Sequence, residues 1–149
     1  MSTVVVDADA LFGLVPVERS APTVLTPHAG ELARLLGVES SWVAAHRLEA
    51  AARCAETFAA VCLLKGADTI VATPGGGAIV CDTGPPSLAT AGTGDVLTGV
   101  VAAFLAKGLD PPVAAAAAAV AHGLAAASVP HQPGLVASDV AAALPAVLP

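Results

Sequence analysis

Short apolar runs punctuate the chain, each closed by a polar residue, a proline or a glycine. Residues 4–6 are three valines ended by Asp7. A β-branched run without polar alternation predicts an interior strand of a parallel sheet, where both faces are covered. Residues 23–26 give a second short strand, stopped by Pro27, and residues 30–36 read as a turn or two of helix ending at Gly37. Ser40 or Ser41 is placed to cap a long helix to about Ala59, with Arg47, Glu49, Arg53 and Glu56 on its wet side. Residues 61–65, 69–72 and 78–82 predict three more strands, the last two joined by the hairpin turn Pro74-Gly75-Gly76-Gly77. A glycine-rich loop over 84–94 feeds a helix from about Asp95 to Ala106 that Gly108 terminates. Further helices are predicted over about 112–127 and 138–144. Strands alternating with helices imply an α/β layered fold, a mainly parallel sheet flanked by helices with one antiparallel hairpin inserted.

Composition narrows this picture. Of 149 residues, 56% are hydrophobic and 12% charged, which excludes a disordered tail. The length suits one domain that buries roughly 68–70% of its unfolded surface. The 36 alanines make much of the apolar excess small, so helices can pack closely while each side chain contributes little burial. Six basic against twelve acidic residues give a net charge of −6 with no basic run, which argues against a nucleic-acid partner. Cys54, Cys62 and Cys81 form no CxxC pair and lie in apolar surroundings. They read as buried thiols of a reducing compartment, with neither a disulfide framework nor a zinc site. The N-terminus lacks a basic region, and its apolar run ends at Asp7, too soon for a signal peptide, so the expected location is cytoplasmic. Residues 111–138 carry no charge and are long enough to span a bilayer. Their core is six alanines, followed by His122 and Gly123 and closed by Pro130 and Pro133, so the stretch reads as a buried helix with no membrane partner.

The segment from Ala91 to Gly99, AGTGDVLTG, carries the most chemistry. Gly92 and Gly94 let the backbone approach a ligand, and the following helix turns its free N–H groups and positive dipole end toward that loop. Asp95 would face the same anion and accept the proton of a hydroxyl attacking phosphorus, while the amides stabilise the transferring phosphoryl group. The plainer alternative is that Asp95 caps its helix and the glycines only make a turn. Lys65, Gly66, Ala67, Asp68 and Thr69 lie between two strands, where a lysine and a hydroxyl can meet the phosphates or ribose of a nucleotide; a lysine there also snorkels to solvent. No GxxxxGK[ST] loop occurs. His28 and Glu31 follow a strand and precede a helix, at the sheet edge where open α/β folds bind ligands, although a Glu three residues on also suits a helix cap. His122 reads as a core histidine. Asp7 or Asp9 ends a strand and can reach a Mg²⁺ or order the nearby loop.

Taken in series, VVVDADAL (4–11), LTPHAGELARLLG (25–37), LLKGADTIVA (63–72), ATAGTGDVLTGVVAAFLAKGLDP (89–111) and AVAHGLAAA (119–127) closely resemble the ADP/ATP-dependent NAD(P)H-hydrate dehydratases of the ribokinase-like superfamily. The resemblance implies a ribokinase-like layered fold and repair of the S forms of NADHX and NADPHX. A nucleotide phosphorylates the hydrate's hydroxyl and phosphate then leaves, restoring the ring's double bond. It also implies that His28, Glu31 and Asp95 face the hydrate, with Asp95 as base, and that Gly92, Thr93 and Gly94 cradle the phosphoryl group. Lys65, Gly66, Ala67, Asp68, Thr69 and Gly94 would hold ADP or ATP, with Mg²⁺ accompanying it. The sequence does not separate the two donors. Family members often form tetramers, so a homo-oligomer is expected. The family carries a substantial stretch before its VVVDADAL equivalent, where only Met1 to Thr3 stand here. Residues 1–149 are therefore expected to be the C-terminal part of a single domain with its N-terminal part missing, inactive until that part is supplied in cis or in trans. The competing readings are a ribokinase-like kinase of a vitamin precursor or sugar alcohol, and a non-catalytic nucleotide-binding fragment.

Overall fold

The computed structural model describes residues 2–149. Strands β1 (Val4–Val6), β2 (Thr23–Leu25), β3 (Val61–Leu64), β4 (Thr69–Ala72) and β5 (Ala78–Cys81) form one sheet in that spatial order. β1, β2 and β3 run parallel, with Val5 opposite Val24 and Leu25 opposite Cys62. β4 is antiparallel to both β3 and β5, with Val71 opposite Leu63 and Ile79. The layered α/β fold expected from the sequence is present, and its sheet is mixed: two hairpins stand where the strand pattern pointed to one.

Helices α1 (Ala29–Leu36), α2 (Ser40–Ala45) and α3 (Arg47–Phe58) fill the crossover from β2 to β3. Helices α4 (Thr93–Ala106), α5 (Pro111–Ser128) and α6 (Ala137–Ala143) follow the sheet. Period-two alternation in the central strands decides which helices lie on which face. Leu25, Cys62, Leu64, Ile70 and Ala72 pack with Leu32, Val43, Cys54 and Phe58 of α1, α2 and α3. Val24, Val61, Leu63 and Val71 pack with Leu97, Val101, Phe104, Ala114 and Ala118 of α4 and α5. The continuous apolar runs are thus read out on both faces, as a sheet between two helical layers requires.

Two sequence expectations change. The long helix from residue 40 is two helices, because His46 leaves helical geometry at φ −133° and ψ 47°. Its ring stacks on Trp42 with centroids 5.0 Å apart, and its Nδ1 lies 2.9 Å from the Trp42 carbonyl oxygen. Glu39, not a serine, holds the N-cap position of α2. The second change concerns β1, expected as an interior strand. Among the described residues it pairs only with β2 and stands at the sheet edge, and Val4 is 42% exposed.

α5 is long and apolar enough to cross a bilayer by length and composition, and half of it is buried within the molecule. Its small residues let other backbone approach. Gly123 meets the turn that follows β5 so closely that a Cβ there would overlap the Thr83 carbonyl. Gly84, at φ +127°, packs back on the Gly123 Cα. Gly123→Ala is therefore expected to lower unfolding stability in urea by about 1–3 kcal/mol, the usual cost of overpacking; an unchanged midpoint would show that the turn yields freely.

Candidate active site

The parallel strands deliver their C-terminal ends to one edge, held in step by backbone bonds. The Thr26 amide donates to the Val6 carbonyl at 3.1 Å and the Lys65 amide to the Pro27 carbonyl at 2.9 Å. Asp7, His28 and Lys65 thus follow β1, β2 and β3 along the edge where open α/β sheets place ligands. Asp7 accepts from the Lys65 ammonium at 3.1 Å on Oδ1 and from the Thr98 hydroxyl at 2.7 Å on Oδ2. Burial works to raise the Asp7 pKa. The Thr98 hydrogen bond, the Lys65 charge and the Thr26 hydroxyl outweigh it and hold the carboxyl below its ordinary value.

α4 begins two residues earlier than the sequence suggested, with Gly92 at its N-cap in the left-handed region at φ +87°. The Thr93 hydroxyl donates to the Leu88 and Thr90 carbonyls at 2.7 and 2.8 Å, which fixes the loop entering the helix. Among the described residues, the amides of Gly94 and Asp95 have no carbonyl partner, so the first turn keeps two donors for a ligand. A Cβ at Gly94 would lie 3.2 Å from the Lys65 Nζ, so the ammonium rests against this same turn. His122 is buried, and its Nε2 donates to the Thr93 carbonyl at 2.9 Å. Burial pulls its pKa below the ordinary histidine value, opposed by the Thr93 bond and assisted by the Lys65 charge.

A cavity of about 470 Å³ opens over this edge. Of the residues singled out in the sequence, it is lined by His28, Lys65, Gly66, Ala67, Thr69, Thr93, Gly94 and His122. Glu31, Asp68, Gly92 and Asp95 are not in its lining. Glu31 closes a reciprocal cap on α1: its carboxylate accepts the His28 amide at 2.8 Å, and its own amide donates to the His28 Nδ1 at 3.2 Å. Asp68 is exposed, and its carbonyl accepts from the Arg47 guanidinium at 2.5 Å. Asp95 is an exposed residue of the first turn of α4, and among the described residues its carboxylate accepts no hydrogen bond.

The sequence reading missed the opposite wall. Pro85, Pro86, Leu88 and Ala89 present an apolar surface, held where Ser87 donates to the Gln132 side-chain oxygen at 2.5 Å. Its signal was the Pro-Pro step after Gly84. Arg47, expected on a wet helix face, instead crosses to the turn joining β3 and β4, where a Cβ on Gly66 would collide with its guanidinium. Thr98 had no distinguishing sequence signal, since its role depends on the approach of Asp7 across 91 residues.

A layered α/β domain with an ammonium and free helix amides at the ends of its parallel strands has the ribokinase-like architecture. A ribokinase-like superfamily protein of Enterococcus faecalis superposes with a TM-score of 0.77 at 26% identity, over 95% of this chain and 50% of that one. More specifically, residues 1–146 match the NAD(P)H-hydrate dehydratase family, and the chain belongs to it. The bifunctional NAD(P)H-hydrate repair enzyme Nnr of Moorella thermoacetica is 47% identical across 97% of this chain, and that of Salinibacter ruber 45% across 96%. The chain spans 29% and 28% of their lengths. The ADP/ATP-dependent NAD(P)H-hydrate dehydratase of Bacillus subtilis, co-crystallised with ATP/Mg²⁺, superposes with a TM-score of 0.91 at 35% identity, over 97% of this chain and 53% of that one. A hydroxyethylthiazole kinase of Pyrococcus horikoshii, at 23% identity and a TM-score of 0.67, shares the fold alone.

The paired carboxylate sets an acid limit on stability. Because the folded Asp7 value lies below the unfolded one, its contribution is complete above the model-peptide value of 3.8 and is lost as pH falls through the folded value. Asp7→Asn is expected to cost about 1.5–3 kcal/mol at pH 7, the range for hydrogen bonds to a charged group. The melting curves of the two proteins should converge as pH is lowered from 5 toward 2. A constant gap across that range would show that the carboxylate's charge is not what stabilises the edge.

Proposed function

We propose that this chain acts in the ADP- or ATP-dependent dehydration of the S forms of NADHX and NADPHX to NADH and NADPH. The observation that carries the reading is the convergence of the Lys65 ammonium with the two free amides of α4 at one end of a cavity whose other wall is apolar. Phosphates suit the first end and a base suits the second. The family match and the ATP/Mg²⁺ bound to the Bacillus subtilis relative support the same assignment.

In this reading the 65–69 turn and Gly94 hold the nucleotide, and His28 faces the hydrate from the end of β2. Asp95 takes the proton from the hydrate's hydroxyl as its oxygen bonds to the terminal phosphorus of the nucleotide and the bridging P–O bond breaks. The amides of Gly94 and Asp95 hold the charge on the transferring phosphoryl group. Phosphate then leaves with its electron pair while the ring loses the neighbouring proton, and the double bond is restored. Phosphorylation is required because hydroxide is a far poorer leaving group than phosphate.

Mg²⁺ binds through one or two carboxylates together with substrate phosphates. Asp7 is engaged by Lys65 and Thr98, and Asp95 is assigned as the base, so the ion would be held mainly by the nucleotide's own phosphates. When bound, the ion would neutralise phosphate charge. Three free, buried cysteines support a reducing, cytoplasmic setting. An exposed apolar stripe formed by Ile79, Val80, Val113, Val120 and Leu124 supports a homo-oligomer, with a tetramer the size expected.

The test is recovery of NADH absorbance from NADHX with ADP or ATP and Mg²⁺, using the chain alone and with the segment that precedes VVVDADAL in the relatives added. Accumulation of a phosphorylated product without NADH would overturn the dehydratase reading in favour of a kinase. Asp95→Asn is expected to lower turnover by about 100-fold or more while leaving nucleotide affinity nearly unchanged. Lys65→Ala is expected to weaken ADP or ATP binding by about 1–3 kcal/mol in calorimetry, the loss of a charge-assisted hydrogen bond. Unchanged affinity would return Lys65 to a purely structural ion pair.

A further inference from the structure

Resting on the nucleotide reading of the cavity, we propose that Asp7 is the positioning residue of its phosphate end. Asp7 fixes the Lys65 ammonium over Gly94 and, through Thr98, ties that ammonium to the first turns of α4. An ammonium on a four-carbon stem spreads over many rotamers unless something holds it. Here the Lys65 and Asp7 side chains are only 20% and 10% exposed, and Nζ lies 3.1 Å from Oδ1. The same Nζ lies against Gly94, where the missing side chain leaves it room. The second oxygen, Oδ2, accepts from Thr98, one turn beyond Gly94 on the same helix, at 2.7 Å.

The carboxylate is itself fixed. The Asp7 carbonyl accepts the Ala10 amide at 3.1 Å, and the residue directly follows Val6, which is in register with Leu25. One half-buried group therefore determines the spacing between the ammonium at the end of β3 and the free amides of α4. Donors set before the ligand arrives need no reorganisation when it binds or reacts. This role differs from that of Asp95: Asp7 acts through Lys65, with both of its oxygens engaged by the chain's own donors.

The two lysines of the chain make the test internal, since Lys107 is exposed and free to serve as a reference. Limited acylation with acetic anhydride near neutral pH, read by peptide mass spectrometry, should modify Lys65 about tenfold more slowly than Lys107 in the unmutated chain. Asp7→Asn should remove most of that difference, while Cys54 and Cys62, fully buried, stay closed to a maleimide. The Lys65 ammonium should also give a sharp proton–nitrogen resonance that Asp7→Asn abolishes, a signature that a general loss of stability would not produce with the cysteines closed. Equal Lys65 reactivity in the two proteins overturns the proposal. If the cysteines of Asp7→Asn open, Thr98→Val decides: a faster Lys65 with closed cysteines supports the tie to α4, and an unchanged rate refutes it. ADP should slow Lys65 acylation in the unmutated chain. Failure of that arm alone overturns the nucleotide reading and leaves the result for Asp7 standing.

Discussion

The ionised carboxylate of Asp7 joins, by side-chain bonds, three elements at this edge: the end of β1, the end of β3 and the second turn of α4. Burying a charge is unfavourable unless donors replace the lost water. Lys65, Thr98 and the Thr26 hydroxyl do so here, where burial alone would push the group toward its neutral form. The sheet edge and the helix must therefore meet at one spacing, since a shift of either leaves a buried carboxylate or ammonium without its partner. The cavity at this edge inherits that spacing.

Much of this was legible because short strands and helix stops are local signals. The valine run at β1, the Thr23–Leu25 strand ended by Pro27 and the triple glycine between β4 and β5 each reflect a property of a few adjacent residues. The TPHAGE segment and the KGADT turn were visible as candidates, and the structure places His28 and Lys65 on one cavity. What the pattern did not reveal depends on contacts far apart in sequence. The break at His46 comes from a ring turning back on Trp42, and Arg47 leaves its expected wet face to meet a turn 21 residues away at Asp68. β1 stands at the sheet edge although its run reads as an interior strand, because three valines read alike whether a strand has one neighbour or two.

The alanine-rich composition has a positional meaning that its average conceals. Alanine and glycine on α5 let the helix lie close to the sheet and to the turn after β5, and this close approach sets the apolar wall of the cavity. Gly123 and Gly84 meet backbone to backbone, so the wall is positioned by the main chain and Leu88 and the two prolines need only provide surface. A helix that composition alone makes a candidate membrane span is thereby an internal support for a binding site, with small residues where the backbone of another segment must pass.

The two ends of the cavity use different physics, and in the nucleotide reading proposed above this bears on how one site would hold a nucleotide and still release it. The phosphate end relies on charge and on helix donors, which a diphosphate and a triphosphate both satisfy. The apolar end relies on shape, from Pro85, Pro86 and Leu88. Selectivity between ADP and ATP would then not come from the wall, which would meet the same base in either case, but from how far Lys65 and the α4 amides lie from that wall. That distance is set by Asp7 and Thr98 on one side and by Gly84 and Gly123 on the other. Asp7, Thr98 and Gly123 stand outside the cavity lining, yet in that reading they help define the length of nucleotide that would bridge the site.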